Sequence, residues 1–325
     1  MAVRTFFVVG FSVLLLGMLF GSQSTKPKSV VDVHGRLQVK GNRIVDKNGK
    51  LTSLAGVSLF WSQWIGKYYT QEVVGWLKKD FKASIVRVAV GVEPDGYLAQ
   101  PEVEMKRAVT VIDAAIEEGV YVIVDWHDHA AQKHTAESVK FFGTLAKKYA
   151  GKPNLIYEIY NEPVDVKWSE IKPYAETVIG AIREYDLTAL VIVGTPNWCQ
   201  DVEVAAADPI DDLNVAYTLH FYAAGHKGEL RAKAQKALDM GIPLFVTEYG
   251  VVNYDGDGPI DRESSTIWYE FMRKNGLSHC IWSLSDKVEG AAILKPGGSV
   301  NGGWSLDELT ESGRYVREII RGWGG

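Results

Sequence analysis

Two glutamates stand at the ends of separate apolar segments of the sequence. Glu162 follows the apolar residues 155–160, and Glu248 follows the apolar residues 244–247. If both segments are strands of one parallel barrel, their carboxyl ends meet at one mouth and the two carboxyl groups can face each other. A carboxylic acid opposite a carboxylate can cleave a glycosidic bond, because one protonates the leaving oxygen while the other faces the anomeric carbon.

Each glutamate also has a purely structural interpretation. Glu162 could interact with the amino terminus of a neighbouring helix. Glu248 could simply form an ion pair with Arg87, which lies inside an apolar segment and needs an anion. The occurrence of two such carboxylates at two strand ends favours catalysis over either account. We expect the Arg87 ion pair to keep Glu248 ionised.

Further polar and aromatic side chains lie in or directly after other apolar segments. They are Arg87, Asp125, Trp126, His127, Asn161, His220, Tyr222 and Trp282. Such side chains, collected at the carboxyl ends of barrel strands, predict one shared active site.

Short apolar segments alternate with segments of helical periodicity along the chain. The apolar segments are residues 54–59, 85–90, 121–126, 155–160, 190–194, 215–219, 244–247 and 280–284. The helical segments are residues 70–81, 103–118, 138–149, 168–185, 228–240, 261–274 and 312–323. Eight buried strands with helices between them predict a (β/α)8 TIM barrel. An open doubly wound sheet is the alternative, but its glycine-rich phosphate loop is missing after the first strand.

The order of segments predicts one catalytic domain with a leader. Residues 1–24 carry a basic residue and a long apolar run, which is typical of a secretory signal peptide, and an uncleaved anchor is the alternative. Residues 25–36 form a lead-in, of which the polar residues 25–31 are expected to be mobile, and residues 37–325 form the barrel. Turn residues between 37 and 54 predict a short β-hairpin that could close the bottom of the barrel.

Composition narrows the choice of ligand. A net charge of −5 offers no electrostatic surface for nucleic acid, whereas 10 tryptophans and 15 tyrosines supply flat rings that suit sugar faces. The expected ligand is therefore neutral. Cys199 and Cys280 fall at opposite ends of two predicted strands, so we expect no disulfide between them.

Four motifs resemble a known enzyme family. The segments IYNEP at residues 159–163 and VTEYG at 246–250 resemble the two catalytic signatures of family 5 glycoside hydrolases. DWH at 125–127 and IWSLSDK at 281–287 resemble its endo-β-1,4-glucanases, and the likeness extends over residues 37–322. The resemblance implies a retaining mechanism with Glu162 as acid/base and Glu248 as nucleophile. Glu162 must then begin protonated, and we expect the nearby anion Glu248 to hold up its pKa.

The resemblance also assigns substrate contacts. It implies that His127 contacts the reacting sugar, that His220 adjoins the acid/base and that Tyr222 hydrogen-bonds the nucleophile. It further implies a sugar contact for Asn161 and Lys287 and stacking surfaces at Trp282, Trp64 and Trp198. Together with Arg87, these residues form the expected substrate site. Where some members have a histidine near residue 60, this chain has Phe60 and Trp61, so Trp61 is a second candidate for the role of Trp64.

No cofactor and no metal are expected. A zinc site at His127 and His129 with Asp128 has unsuitable spacing and lacks a third clear ligand, and His129 and His134 have no other support. The expected substrate is a β-glucan polysaccharide or oligosaccharide. The mature enzyme is expected to be a secreted monomer without nucleic-acid or membrane partners. Mannanase, xylanase and mixed-linkage glucanase activities are alternatives that share the same glutamates. A barrel that binds carbohydrate without hydrolysing it is an alternative of a different class.

Overall fold

The computed structural model describes residues 1–3, 5, 6 and 28–324. Most of the predicted leader and the start of the lead-in lie outside these residues. Within the described parts of the chain, no helix combines the length and the apolar character needed to cross a bilayer.

Eight parallel strands close into a barrel, which confirms the predicted fold class. The first barrel strand pairs with the last, and all other neighbours are consecutive in the chain. The strands are β3 (Ala55–Leu59), β4 (Ile85–Gly91), β5 (Tyr121–His127), β6 (Leu155–Glu158), β7 (Leu190–Val193), β8 (Val215–Tyr222), β9 (Leu244–Gly250) and β10 (His279–Leu284). Almost every strand residue is buried, because helices cover the outside and side chains fill the inside.

Helices surround the barrel and follow the predicted segments to within a few residues. They are α2 (Ser62–Ile65), α3 (Gln71–Trp76), α4 (Pro101–Glu118), α5 (Thr135–Lys148), α6 (Trp168–Arg183), α7 (Pro196–Cys199), α8 (Val202–Ala207), α9 (Gly228–Asp239), α10 (Arg262–Asn275) and α11 (Glu311–Arg321). The predicted helix over residues 70–81 is divided, since α3 continues as a π-helical turn over Leu77–Phe81. The short helices α2, α7 and α8 were not predicted, because each is too short for periodicity to reveal.

The amino-terminal hairpin is present where the turn residues predict it. Strands β1 (Gln38–Lys40) and β2 (Arg43–Val45) pair antiparallel. Asn214, directly before β8, hydrogen-bonds the backbone of Val39 at 2.7 Å. The hairpin therefore lies at the amino ends of the barrel strands, opposite the mouth that carries the site.

The expected mobile stretch of residues 25–31 runs into a helix, so the expectation is wrong for residues 30 and 31. Val30–His34 form helix α1, whose amino terminus is closed by a capping box between Ser29 and Asp32. Val31 is buried, and its backbone N–H donates to the carbonyl oxygen of Gly119. A local cap and one buried contact thus order this segment.

The two cysteines are buried free thiols. Cys280 belongs to the apolar cluster in the lower barrel together with Ile123 and Phe245. Cys199 lies in α7 near the mouth, where its Sγ donates to the carbonyl oxygen of Asn161.

Candidate active site

The two glutamates predicted as a catalytic pair lie together at the carboxyl ends of the strands. Glu162 follows β6, and Glu248 lies within β9. One carboxylate oxygen of each, together with a ring nitrogen of His220, falls within a group of atoms all less than 4.8 Å apart. Carboxyl groups this close match the shorter spacing of retaining glycosidases, since inverting enzymes need room for a water molecule.

Both carboxylate oxygens of Glu248 accept hydrogen bonds from the protein. Arg87 Nη1 donates to Oε2 at 3.0 Å, and the Tyr222 hydroxyl donates to Oε1 at 2.8 Å. Burial, with Glu248 beside it, holds the pKa of Tyr222 well above its usual range, so the phenol remains a donor. These two donors hold the Glu248 carboxylate in one orientation.

Arg87 is the centre of a buried network of charges. Beyond Glu248 it contacts Asp125 at 2.9 Å and Glu158 at 2.7 Å, and it donates to the side-chain oxygen of Asn161 at 2.7 Å. With that oxygen engaged, Asn161 presents its NH2 group as a donor. Burial raises the pKa of Asp125 to about 7, although Arg87 opposes the shift.

Glu158 is a site residue that the sequence motifs did not single out. It accepts two hydrogen bonds from Arg87, from Nε at 2.7 Å and from Nη2 at 3.2 Å. The sequence does contain a signal for Glu158, namely a charged residue inside an apolar strand. The same signal identified Arg87. Two opposite buried charges on different strands are natural partners.

Glu162 contacts two histidines. His220 Nδ1 lies 2.9 Å from its Oε1, and His129 Nε2 lies 3.5 Å from its Oε2. The expectation that His129 has no role at the site is therefore wrong. Its loop folds back over the end of β6 and brings the ring to Glu162. Half of the His129 side chain is exposed, whereas His220 is buried.

The expectation of a raised Glu162 pKa is also wrong for the free enzyme. Burial does raise the pKa of Glu162, but hydrogen bonds from His129 and His220 outweigh burial and lower it. Burial lowers the pKa of His220, and the contact with Glu162 reverses that shift and raises it. Glu162 and His220 therefore share one proton, with the imidazole the stronger base of the two.

His127 and Trp282 stack in parallel beside the carboxylates. Their ring centroids are 5.2 Å apart with an interplanar angle of 2°. His127 Nδ1 lies 2.6 Å from Asp125, which fixes the ring from its other side. Burial and the Arg87 charge hold the pKa of His127 well below its ordinary value, so the ring is neutral.

Aromatic residues of the first loop line the same side of the cleft. Trp61 packs edge-on against His127 at 4.0 Å and also contacts Trp64 at 4.9 Å. Trp64 is half exposed, so its face is open to a ligand. Lys287 lies 5.6 Å above the Phe60 ring and pairs with Glu289 at 2.5 Å.

The other side of the carboxylate pair opens into a cavity of about 510 Å³, a volume typical of ligand sites. The lining residues are Glu162, Asn197, Trp198, Gln200, His220, Tyr222, His226, Glu248 and Tyr254. Asn197 and Trp198 have left-handed backbone angles, with φ of 58° and 53°, and Trp198 is 42% exposed. Such conformations are costly for non-glycine residues and concentrate at functional sites. His226 and Tyr254 are further residues that the sequence motifs did not identify.

The spacing of Glu162, His220 and Glu248 could suit a metal ion, but their contacts do not. Both oxygens of Glu248 already accept hydrogen bonds, and Arg87 places a fixed positive charge beside them. A cation there would displace those donors and meet like charge. The donor set fits an uncharged ligand better.

Comparison with known proteins agrees with this geometry. The family model described as cellulase (glycosyl hydrolase family 5) matches residues 45–288. The chain belongs to this family. Among curated relatives of this family 5 glycoside hydrolase, endoglucanase Z of Dickeya dadantii is 50% identical over 292 residues, covering 88% of this chain and 66% of the relative. Endoglucanase N of Pectobacterium atrosepticum is 40% identical over 317 residues, covering 95% and 70%. The chain thus spans about two thirds of the length of these relatives.

Solved structures give the same result for the fold. The catalytic domain of Thermobifida fusca endoglucanase Cel5A superposes with a TM-score of 0.87 at 33% identity, covering 90% of this chain and all of that domain. A structure from Cytophaga hutchinsonii has a TM-score of 0.90 at 51% identity, covering 90% and 97%. The predicted family is therefore confirmed, while the role assigned to each site residue stays a prediction.

Proposed function

We propose that this family 5 glycoside hydrolase is a retaining endo-β-1,4-glucanase with Glu248 as nucleophile and Glu162 as acid/base. The observation that carries the assignment is the difference between the two carboxylates. Glu248 accepts donors on both oxygens, which suits a permanent anion. Glu162 shares a proton with His220, which suits a group that gives and takes protons.

The reaction proceeds in two steps. Glu248 attacks the anomeric carbon while Glu162 protonates the leaving glycosidic oxygen, which gives a glycosyl-enzyme. Glu162 then takes a proton from water as the water oxygen attacks the same carbon, and Glu248 leaves as a carboxylate. Asn161, with its oxygen held by Arg87, is placed to donate to a sugar hydroxyl. Two inversions give overall retention.

The proposed substrate is a β-glucan polysaccharide or its oligosaccharides. Trp61 and Trp64 offer apolar ring faces on one side of the carboxylates, and Trp198 offers one on the other, whereas Trp282 is only 6% exposed. A cleft with stacking surfaces on both sides fits internal cleavage of a chain. The Thermobifida fusca relative, as its E355Q variant, was solved in complex with cellotetraose. Reducing-sugar assays on carboxymethyl cellulose, glucomannan and xylan separate the glucanase from its family alternatives.

We also propose that the enzyme is secreted and acts as a monomer. The support for secretion is the composition of residues 1–24, with Arg4 ahead of a long apolar run, which is typical of a cleaved leader. In this proposal, residues 25–36 precede the catalytic domain of residues 37–325, and the mature protein has no membrane contact. Amino-terminal sequencing of protein from a culture medium tests the cleavage.

Azide rescue tests the assignment of the two glutamates. In Glu162→Ala, 2,4-dinitrophenyl β-cellobioside has a leaving group that needs no acid, so the glycosyl-enzyme forms but its hydrolysis stalls. Azide needs no base, so it is expected to restore turnover and to give the β-glycosyl azide. Glu176→Ala, which changes an exposed residue of α6, is the matched control and is expected to show no azide response.

Two results would contradict the assignment. An α-glycosyl azide from Glu162→Ala would mean a single inversion at a vacated nucleophile position, which exchanges the roles of Glu162 and Glu248. A folded Glu162→Ala protein with wild-type turnover, or with no response to azide, would exclude Glu162 as the acid/base.

A further inference from the structure

A chain of hydrogen bonds runs from Glu162 away from the cleft into the barrel. Glu162 Oε1 is 2.9 Å from His220 Nδ1, and His220 Nε2 is 2.9 Å from the hydroxyl of Thr247. That hydroxyl is in turn 2.6 Å from Glu158 Oε1. His220, Thr247 and Glu158 are all at most 2% exposed, so water does not compete for these contacts.

The inner end of the chain fixes the direction of its hydrogen bonds. Burial raises the pKa of Glu158, but both of its oxygens accept hydrogen bonds from the Arg87 guanidinium, at 2.7 and 3.2 Å, which is the pairing of an ionised carboxylate. An ionised carboxylate can only accept, so the Thr247 hydroxyl uses its single hydrogen to donate to Glu158. The Thr247 oxygen must therefore accept a hydrogen bond from His220, and Nε2 of that ring carries a proton.

We propose that Thr247 and Glu158 are positioning residues that hold His220 as its Nε2–H form and leave Nδ1 to share the mobile proton with Glu162. This inference rests on the proposed acid/base role of Glu162. It concerns how the proton is held, and it gives a role to two buried residues that lie further into the barrel than Glu162.

The tautomer matters because of what remains when the mobile proton leaves. With Nε2–H fixed, a proton passed from the pair through Glu162 to the leaving oxygen leaves behind a neutral imidazole. With a neutral Nδ1–H ring, the same transfer would leave an imidazolate, which is far too basic to form at neutral pH. Only the Nε2–H form therefore lets His220 support proton donation.

The same arrangement serves the second step. Once the leaving group has taken the proton, the Glu162 carboxylate faces the lone pair of His220 Nδ1 at hydrogen-bond distance. Two acceptors this close repel each other, so the pair draws a proton from the attacking water. The proton leaves the water oxygen as that oxygen bonds to the anomeric carbon, and the pair returns to its starting state.

Leaving-group kinetics on Thr247→Val provide the test. Valine keeps the shape of threonine but removes the acceptor for Nε2–H. We expect kcat/KM for aryl β-cellobiosides with poor, high-pKa leaving groups to fall about 10- to 100-fold, part of the effect of general acid catalysis. We expect kcat/KM for the 2,4-dinitrophenyl substrate to change less than about threefold, because that leaving group needs no proton.

Two further variants separate positioning from packing. Thr247→Ser keeps the hydroxyl and is expected to restore the wild-type dependence on leaving-group pKa. Thr218→Val is the matched control, since Thr218 is a buried threonine of neighbouring β8 whose hydroxyl has no partner among the described residues. That variant is expected to keep the wild-type dependence.

Imidazole NMR reports the tautomer directly. In protein labelled with ¹⁵N-histidine, the His220 signals are assigned by their absence from His220→Asn. We expect Nε2 to remain protonated across the titration of the His220–Glu162 pair in the wild type, and a neutral Nδ1–H population to appear in Thr247→Val.

The proposal would be overturned by a neutral Nδ1–H form of His220 in the wild type. It would equally be overturned if Thr247→Val lowered kcat/KM by the same factor for every leaving group, which is the result of a packing defect. Neither result touches the azide test on Glu162→Ala, so failure of the positioning role and failure of the proposed function are distinguishable.

Discussion

Arg87 Nη1 lies 3.0 Å from Glu248 Oε2, with both side chains buried in the barrel. Because Arg87 also pairs with Asp125 and Glu158, its removal leaves three buried carboxylates without their cation. We expect Arg87→Met to lower the free energy of unfolding by at least about 3–5 kcal/mol, measured by urea denaturation. Arg262→Met, which breaks an exposed pair with Glu311, is the control and is expected to cost less than about 1 kcal/mol. Equal losses would contradict the central role of Arg87.

Glu248→Gln is expected to lower turnover by several orders of magnitude while preserving the fold. The amide cannot form the glycosyl-enzyme, whereas Arg87 keeps its contacts with Asp125 and Glu158. Steady-state kinetics on an aryl cellobioside measure the loss, and calorimetric binding of cellotetraose with a thermal melt checks that affinity and fold remain. Wild-type turnover in a folded variant would remove Glu248 from the nucleophile role.

Tyr254 is expected to bind a sugar on the leaving-group side of the cleavage point. Its ring is 67% exposed, lines the cavity beside Glu162 and stacks near His226 at 6.1 Å. In Tyr254→Ala we expect the ratio of kcat/KM for cellohexaose to that for an aryl cellobioside to fall about 3- to 10-fold. Tyr185→Ala, at an exposed tyrosine after α6 at the far end of the barrel, is the control. An unchanged ratio for Tyr254→Ala would place the ring outside the substrate path.

Acid stability is expected to depend on His279. This buried ring contacts Tyr249 and Trp323, and neither ring nitrogen has a hydrogen-bond partner among the described residues. Burial lowers the pKa of His279 to about 3, so the unfolded chain binds its proton first as pH falls. Its contribution is fully present above pH of about 6.5 and is lost at about 1.4 kcal/mol per pH unit down to about pH 3.

Urea denaturation between pH 7 and pH 4 measures this slope. In His279→Leu, an apolar replacement of similar size, the slope is expected to be shallower than in the wild type by that amount. Parallel profiles of the two proteins would mean that His279 titrates alike in the folded and unfolded chains.

The strands and the residues at their ends were predictable because each depends on local sequence. An apolar segment is buried wherever it pairs, and parallel strands place their carboxyl ends together whatever their exact register. Glu162, Glu248 and His220 could therefore be assigned to one mouth. The hairpin was predictable for a similar reason, since its turn residues lie within a few positions of both strands.

Contacts that depend on the register between segments far apart in sequence were not predictable. Arg87 and Glu158 belong to strands separated by β5, and Arg87 was expected to pair with Glu248 alone. The contact of His129 with Glu162 depends on how two loops fold over each other. The lowered pKa of Glu162 follows from its contacts with His129 and His220, so the expectation based on the nearby anion Glu248 had the wrong sign.

The hairpin at the base of the barrel also offers a position for attaching the enzyme to a solid support. Lys40 lies exposed in β1, at the opposite end of the barrel from the cleft. A bead or a second protein coupled through this lysine would hold the molecule with its cleft facing outward. A long polymer could then reach Glu162 and Glu248 without meeting the support, whereas coupling through Lys287 would turn the cleft toward it.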